Sequence, residues 1–196
     1  MGRSRLTAAA VVLLAASAGG ATAADLCEGC WEVGGRAAYL IPSSRTGTES
    51  AIGLGAEARF RFRPFWSVAF TFDTIPTKIS KGPDESLRFL SISFEYTMRA
   101  NREQRSRPFV AFTTGLVFDH VSTGSAGVGK ITPPVTARSL PQGDHGVSYG
   151  IALGGVTTLT DRLYLRYEGR LLKWSTFGIA SSSNEILAGL TLKLGR

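Results

Sequence analysis

The chain has 196 residues, a formal charge of +7 and a hydrophobic content of 43%, which gives room for one domain and not two comfortable ones. Two cysteines and two histidines, the histidines far apart in sequence, are too few to build a closed metal site. Beyond residue 24 no segment reaches the roughly 18 continuous apolar residues of a membrane-spanning helix.

Residues 1–24 read as a secretory leader. Arg3 and Arg5 precede an apolar run from Leu6 to Ala16, and Ala21-Thr22-Ala23 fits an A-x-A cleavage site. The run is too short and wrongly flanked for a spanning helix. Loss of Arg3 and Arg5 takes the formal charge from +7 to +5. An exported chain rarely meets nucleic acid, so the basic surplus points to anionic lipid, lipopolysaccharide included.

Residues 25–30 form a short segment, "DLCEGC", that carries both cysteines, Cys27 and Cys30. Export places them where thiols pair. A redox CxxC needs a βαβ setting, which this chain lacks, and a haem attachment site needs a histidine where Trp31 stands. Residues three apart in an extended chain lie about 10 Å from each other, beyond disulfide reach of about 7 Å. A Cys27–Cys30 bond therefore requires a turn, which Gly29 permits.

From Trp31 onward, apolar and polar residues alternate with period two. In residues 52–62, Ile52, Leu54, Ala56, Ala58, Phe60 and Phe62 share one parity, while Gly53, Gly55, Glu57, Arg59 and Arg61 share the other. That is the signature of a strand with two unlike faces, and a helix would scatter both sets. The same alternation runs through 31–41, 66–73, 90–98, 108–119, 147–156, 163–172 and 186–194, giving eight strands mostly of 9–12 residues. Ordinary globular strands are nearer 5–6 residues, whereas a tilted membrane-crossing strand needs about 9–11. Between them, 42–51, 74–86, 120–146 and 173–185 read as long polar connections. Segments 63–65 and 157–162 read as short ones, and 99–107 is intermediate. Alternating long and short connections suit a barrel with one outer and one periplasmic end.

Alternation alone does not say which face is lipid. A secreted soluble barrel of lipocalin type, or a sandwich, would bury the apolar set. Three features favour the inverted arrangement. An eight-stranded interior is just wide enough for side chains to fill it, and Gly34, Gly53, Gly55, Gly115, Gly150, Gly154 and Gly189 suit such crowding. The polar set carries both signs of charge, Arg36, Glu57, Arg59, Arg61, Glu95, Arg166, Glu168, Arg170 and Lys193, which can pair inside a lumen. Aromatic residues gather near strand ends, as in the interface girdles of membrane barrels. Trp31, Phe62, Trp66, Tyr96 and Phe109 are placed at the periplasmic end. Tyr39, Phe72, Tyr149 and Trp174 are placed at the outer end. The predicted fold is therefore all-β: an eight-stranded antiparallel transmembrane barrel over 31–196.

The stretches "WEVGGRAAYLIP", "RPFVAFTTGLVFD", "YGIALGGVTTLTDRLYLRYEGR" and "EILAGLTLKLGR" resemble the small outer-membrane β-barrel family that includes the OmpA barrel, OmpX and OmpW-like proteins. Such barrels commonly end on an aromatic residue, part of the signal to the barrel-assembly machinery; this chain ends Leu194-Gly195-Arg196, a departure that fits either different recognition by that machinery or a lineage with looser rules. The resemblance implies an outer-membrane location and a role in structure, adhesion or the passage of small hydrophobic molecules. It implies no cofactor and carries over no catalytic residues.

Some eight-stranded barrels modify lipid A with a histidine and a serine. "DHVST" sets His120 and Ser122 two apart beside Asp119, which is similar to the His-x-Ser of the deacylases. Their motif continues with Asn, however, and lies nearer the C-terminus. Here Thr123 follows and the longest loop opens, so a polar strand-to-loop transition accounts for these residues. His145 falls in the same 120–146 loop. That loop is the expected contact for a host or surface ligand. The chain is read as non-enzymatic.

A free-thiol assay on the purified, unreduced protein is expected to find no reactive thiol. Two reactive thiols would refute the Cys27–Cys30 turn.

Overall fold

The computed structural model describes residues 28–43, 49–78, 84–98, 106–121, 143–176 and 179–194. They form eight strands: β1 (Cys30–Pro42), β2 (Ala51–Arg63), β3 (Trp66–Lys78), β4 (Asp84–Thr97), β5 (Ser106–Val121), β6 (Gly143–Thr158), β7 (Leu163–Thr176) and β8 (Ile179–Leu194). Each strand pairs antiparallel with its sequence neighbours, and β1 pairs with β8, so the sheet closes without an edge. In hydrocarbon an open edge would leave backbone groups unsatisfied.

The register sets the size of the barrel. Partners can be followed once round the wall from Leu194 through Trp31, Phe60, Val68, Phe94, Phe112, Ile151 and Leu171. The path returns to β8 at Asn184, ten residues further along. Eight strands with that stagger tilt by about 40° and enclose a backbone radius of about 8 Å. Strands of 13–16 residues then rise roughly 33–40 Å, more than the ~25 Å apolar band of an outer-membrane barrel.

The apolar parity faces outward. Leu54 is 72% exposed and Leu153 62%, and the outer wall continues with Phe70, Ile92, Phe112, Ile151 and Leu190. A girdle of this extent is far beyond the apolar patches that water-soluble monomers carry. The lumen holds the other parity, and glycine makes room there. A Cβ at Gly55 would collide with the Asp73 carboxylate, and one at Gly154 would lie 2.6 Å from the Phe109 ring. The same holds against backbone or side chain at Gly34, Gly53, Gly115, Gly150 and Gly189. Outside the wall, Tyr167 lies over its partner Gly155 and its hydroxyl meets the Ser106 hydroxyl at 2.8 Å; the ring covers backbone that the glycine leaves bare.

The strands run further than their sequence pattern. β3 continues to Lys78 and β8 begins at Ile179, so the expected long connections 74–86 and 173–185 shrink to 79–83 and 177–178. The fourth connection, 98–105, is longer than either, and the simple long–short alternation is lost. Residues 122–142 remain the longest connection and lie outside the described residues. The physical reason is a reversal of polarity toward that end of the barrel. There many inward residues are apolar (Leu40, Ile75, Leu87, Phe89, Val117, Leu172, Trp174), beside buried Thr77, Glu85 and Asp119, and several outward ones are polar (Lys78, Arg88, His120, Lys173). Strand segments that rise above the lipid fold like a water-soluble barrel, and their mixed composition resembles loop.

Replacing Gly154 by Val is expected to abolish or sharply reduce the compact, fast-migrating form on an unheated detergent gel, because overpacking costs about 1–3 kcal/mol or more. Gly169→Val, where a Cβ meets open space, is expected to migrate as the parent does.

Candidate functional site

The lumen is layered. At the end bearing the 64–65 turn, Arg61 is completely buried and donates from Nε to Glu32 Oε1 at 3.1 Å and from Nη1 to Thr97 at 3.3 Å. Arg59 reaches Glu32 at 3.5 Å, Glu57 at 3.2 Å and Glu95 at 3.7 Å. Arg166, in the middle, contacts Glu95 at 2.5 Å, Glu168 at 3.0 Å and Glu57 at 3.9 Å. Its guanidinium also lies 3.7 Å from the centre of the Phe109 ring, a cation–π contact. Above it Arg36 grips Asp73 through two parallel bonds, the fork geometry that suits arginine to carboxylate. Arg170 closes the layer with Glu168 at 2.5 Å, Glu185 at 3.5 Å and Asp73 at 3.9 Å.

Among the described residues this is one connected network of five arginines and six carboxylates. Glu32 on β1 joins two arginines of the neighbouring β2, whereas Glu57, Asp73, Glu95 and Glu168 tie strands that are not neighbours. Glu95 on β4, for instance, ties Arg59 on β2 to Arg166 on β7. A buried charge is tolerated when it is paired and hydrogen-bonded in this way. The void beside Arg36, Glu57, Arg166 and Glu168 measures about 10 Å³, near the lower limit for one water molecule.

Above the charges sits the apolar cluster of Leu40, Ile75, Leu87, Phe89, Val117, Leu172, Trp174 and Leu187. Phe89 and Trp174 meet edge to face with ring centres 5.8 Å apart. A second cluster, Phe109, Ala111, Ala152, Val156 and Tyr164, lies toward the opposite end.

Set against the sequence reading, Arg36, Glu57, Arg59, Arg61, Glu95, Arg166, Glu168 and Arg170 all point inward and are joined. Lys193 has the inward parity but is only half-buried, and no ion pair reaches it among the described residues. Glu32, Asp73 and Glu185 belong to the network without having been singled out. Glu32 and Asp73 had the right parity; Glu185 was hidden in the presumed seventh loop. Trp174 is not an outer-interface anchor: it is 4% exposed, inside the barrel, because it shares the parity of Arg170 and Leu172 while Lys173 faces out. Phe109, expected in the lower girdle, is likewise inside at 1% exposure. Trp31, Tyr39, Trp66 and Tyr149 do face outward, with Tyr96 half-buried. Trp66 packs on Tyr96 at 4.7 Å and on Phe94 at 5.0 Å.

Cys30 is the first residue of β1, buried and disulfide-bonded; Cys27 lies outside the described residues. Gly29 adopts φ 70°, the left-handed turn conformation that a short spacing demands. His120 is exposed on the outer face of β5, whereas Asp119 is buried on the inner face. The neighbouring carboxylate is thus on the wrong side to orient the imidazole, and Ser122 lies outside the described residues. His145 belongs to β6, not to a loop.

No family model and no curated protein matches the chain. Among solved structures it is similar to Neisserial surface protein A (NspA), at 17% identity over 84% of this chain and 97% of that one, with a TM-score of 0.67. The fold is that of the small eight-stranded outer-membrane barrels. The N-terminal barrel domain of Pseudomonas aeruginosa OprF (11% identity, 84% and 98% coverage, TM-score 0.48) and Ail of Yersinia pestis (10%, 86% and 100%, 0.46) are more distant. In this fold the outward wall is apolar and the arginine–carboxylate network is the core.

Arg166→Met is expected to destabilise the barrel by about 3–5 kcal/mol, because Glu95 and Glu168 lose a buried partner. The double variant Arg166→Met/Glu95→Gln should recover part of that loss. Urea unfolding in lipid vesicles, followed by tryptophan fluorescence, measures both.

Proposed function

We propose that the chain is a non-enzymatic outer-membrane protein whose lumen is structural and whose partners are met at the outer wall, the rim and residues 122–142. The observation that carries this reading is the filled interior among the described residues: an ion-pair network, with a void of about 10 Å³ beside Arg36, Glu57, Arg166 and Glu168, capped by an apolar cluster. A pore needs a continuous wetted path, and eight strands leave room only for side chains. Passage of small hydrophobic molecules through the lumen, the OmpW-like alternative, would have to displace Phe89 and Trp174 from their packing.

In this reading residues 1–24 are a cleaved export signal and residues 25–30 a disulfide-closed periplasmic segment whose last residue, Cys30, opens β1. The even strand number puts both ends of the chain on the periplasmic side, with 122–142 outside. The assembly machinery would insert the barrel, lipopolysaccharide would surround its outer half, and a surface ligand would meet 122–142. The similarity to a neisserial surface protein supports the outer-membrane placement. An enzyme finds little support: His120 faces out while Asp119 faces in.

On fractionation the protein is expected in the outer membrane, and in planar bilayers the purified barrel is expected to remain electrically silent. Discrete single-channel openings would overturn the sealed-lumen reading, and recovery in the soluble fraction would overturn the placement.

A further inference from the structure

A groove of about 430 Å³ indents the outer wall across β6, β7, β8 and β1. It is lined by the apolar Phe112, Ile151 and Leu171, by Ile41 in register with Asn184, and by the polar Ser43, Lys173, Ser182 and Asn184. The polar residues follow one another along adjoining strands. Lys173 pairs in register with Tyr149 and with Ser182, Leu171 pairs with Asn184, Asn184 pairs with Ile41, and the Ser43 amide donates to the Ser182 carbonyl at 2.9 Å. Two residues lower on β7 or β8 the wall is apolar again, at Leu171 and Ile186. The groove therefore straddles the boundary between hydrocarbon and headgroups, with Tyr149 as its aromatic marker.

Among the described residues no carboxylate lines the groove, and Lys173 is exposed with no ion pair. An ammonium at the edge of hydrocarbon, flanked by two hydroxyls and an amide, above an apolar trough, is complementary to one ligand form: an acyl chain below, a phosphate at the boundary and sugar hydroxyls beside it. The end concerned is the one that bears 122–142, the outer leaflet in the reading above, on which this inference rests.

We propose that this groove holds an acylated, phosphorylated saccharide lipid of lipid A type, with Lys173 on its phosphate and the trough on an acyl chain. Lys173 acts as a point charge; Ser182 and Asn184 hydrogen-bond the sugar. The acyl chain replaces mobile solvent lipid at a fixed place on the wall, on the side opposite β3 and β4.

Native mass spectrometry of the full-length folded protein, released from detergent and titrated with bisphosphorylated lipid A, tests the site. The parent is expected to retain one lipid A. One lysine near a charged lipid surface contributes enough to change affinity about fivefold, so Lys173→Ala should bind about fivefold more weakly, while Lys78→Ala on β3 should bind as the parent does. Lipid A stripped of both phosphates should bind Lys173→Ala and parent alike. Equal affinity of parent and Lys173→Ala for bisphosphorylated lipid A would overturn the site, and so would equal occupancy by phosphatidylglycerol. Each variant is first shown to be heat-modifiable on a gel. A barrel that is membrane-inserted yet shows no preference defeats this inference alone; a chain that does not enter the outer membrane defeats the placement as well.

Discussion

The rest of this barrel depends on charges buried at close quarters in its lumen. An arginine taken out of water is tolerated only when carboxylates surround it closely. Arg36, Arg59, Arg61, Arg166 and Arg170 satisfy that condition by drawing acids from β1, β2, β3, β4, β7 and β8. The network is thus a set of cross-braces through the lumen, in addition to the backbone ladder round it. The outer wall, made of apolar side chains against lipid, does little to distinguish registers that differ by two residues, since these keep the same face outward. A one-residue slip of any strand would turn its charges into hydrocarbon and its phenylalanines into the network, so the interior pairing and the lipid face specify the same register.

Glycine makes this density feasible. Gly55 lets the Asp73 carboxylate approach the wall, and Asp73 is the acid that Arg36 grips with both nitrogens of its fork. Gly154 admits the Phe109 ring, on which the Arg166 guanidinium rests. In each case a missing side chain on one strand makes the volume for a charged or aromatic contact on another. The apolar cap of Phe89, Trp174 and their neighbours then separates the network from the outer rim. A lumen closed in this way supports the proposal that partners are met outside the barrel.

The chain changes its solvent along the barrel axis, and its polarity pattern changes with it. Over the membrane span the rule is apolar out and charged in. Toward the end that bears 122–142 it reverses, with Leu87 and Leu172 inside and Arg88 and Lys173 outside. Where the two rules meet, neither face is consistently apolar. That is why the extensions of β3, β7 and β8 read as loop, and why Trp174 reads as an interface anchor. The same boundary creates the amphipathic groove on β6, β7, β8 and β1, since a step from Leu171 to Lys173 on one strand is followed by one from Ile186 to Asn184 on the adjoining strand.

The period-two alternation of residues such as 52–62 determined, without coordinates, that the chain forms eight two-faced strands. Together with lumen-sized glycines and charges of both signs, it also determined which face meets lipid. Parity is local, a property of a side chain and its second neighbour, so a sequence displays it directly. Which arginine meets which acid is not local. Glu95 and Arg166 are 71 residues apart and Arg36 and Asp73 are 37 apart. Their meeting follows from the stagger of ten residues round the wall, a quantity set by eight pairings at once. The tertiary structure alone therefore decided that Asp73, Glu32 and Glu185 complete the network, that Trp174 and Phe109 turn inward, and that His120 and Asp119 part to opposite faces.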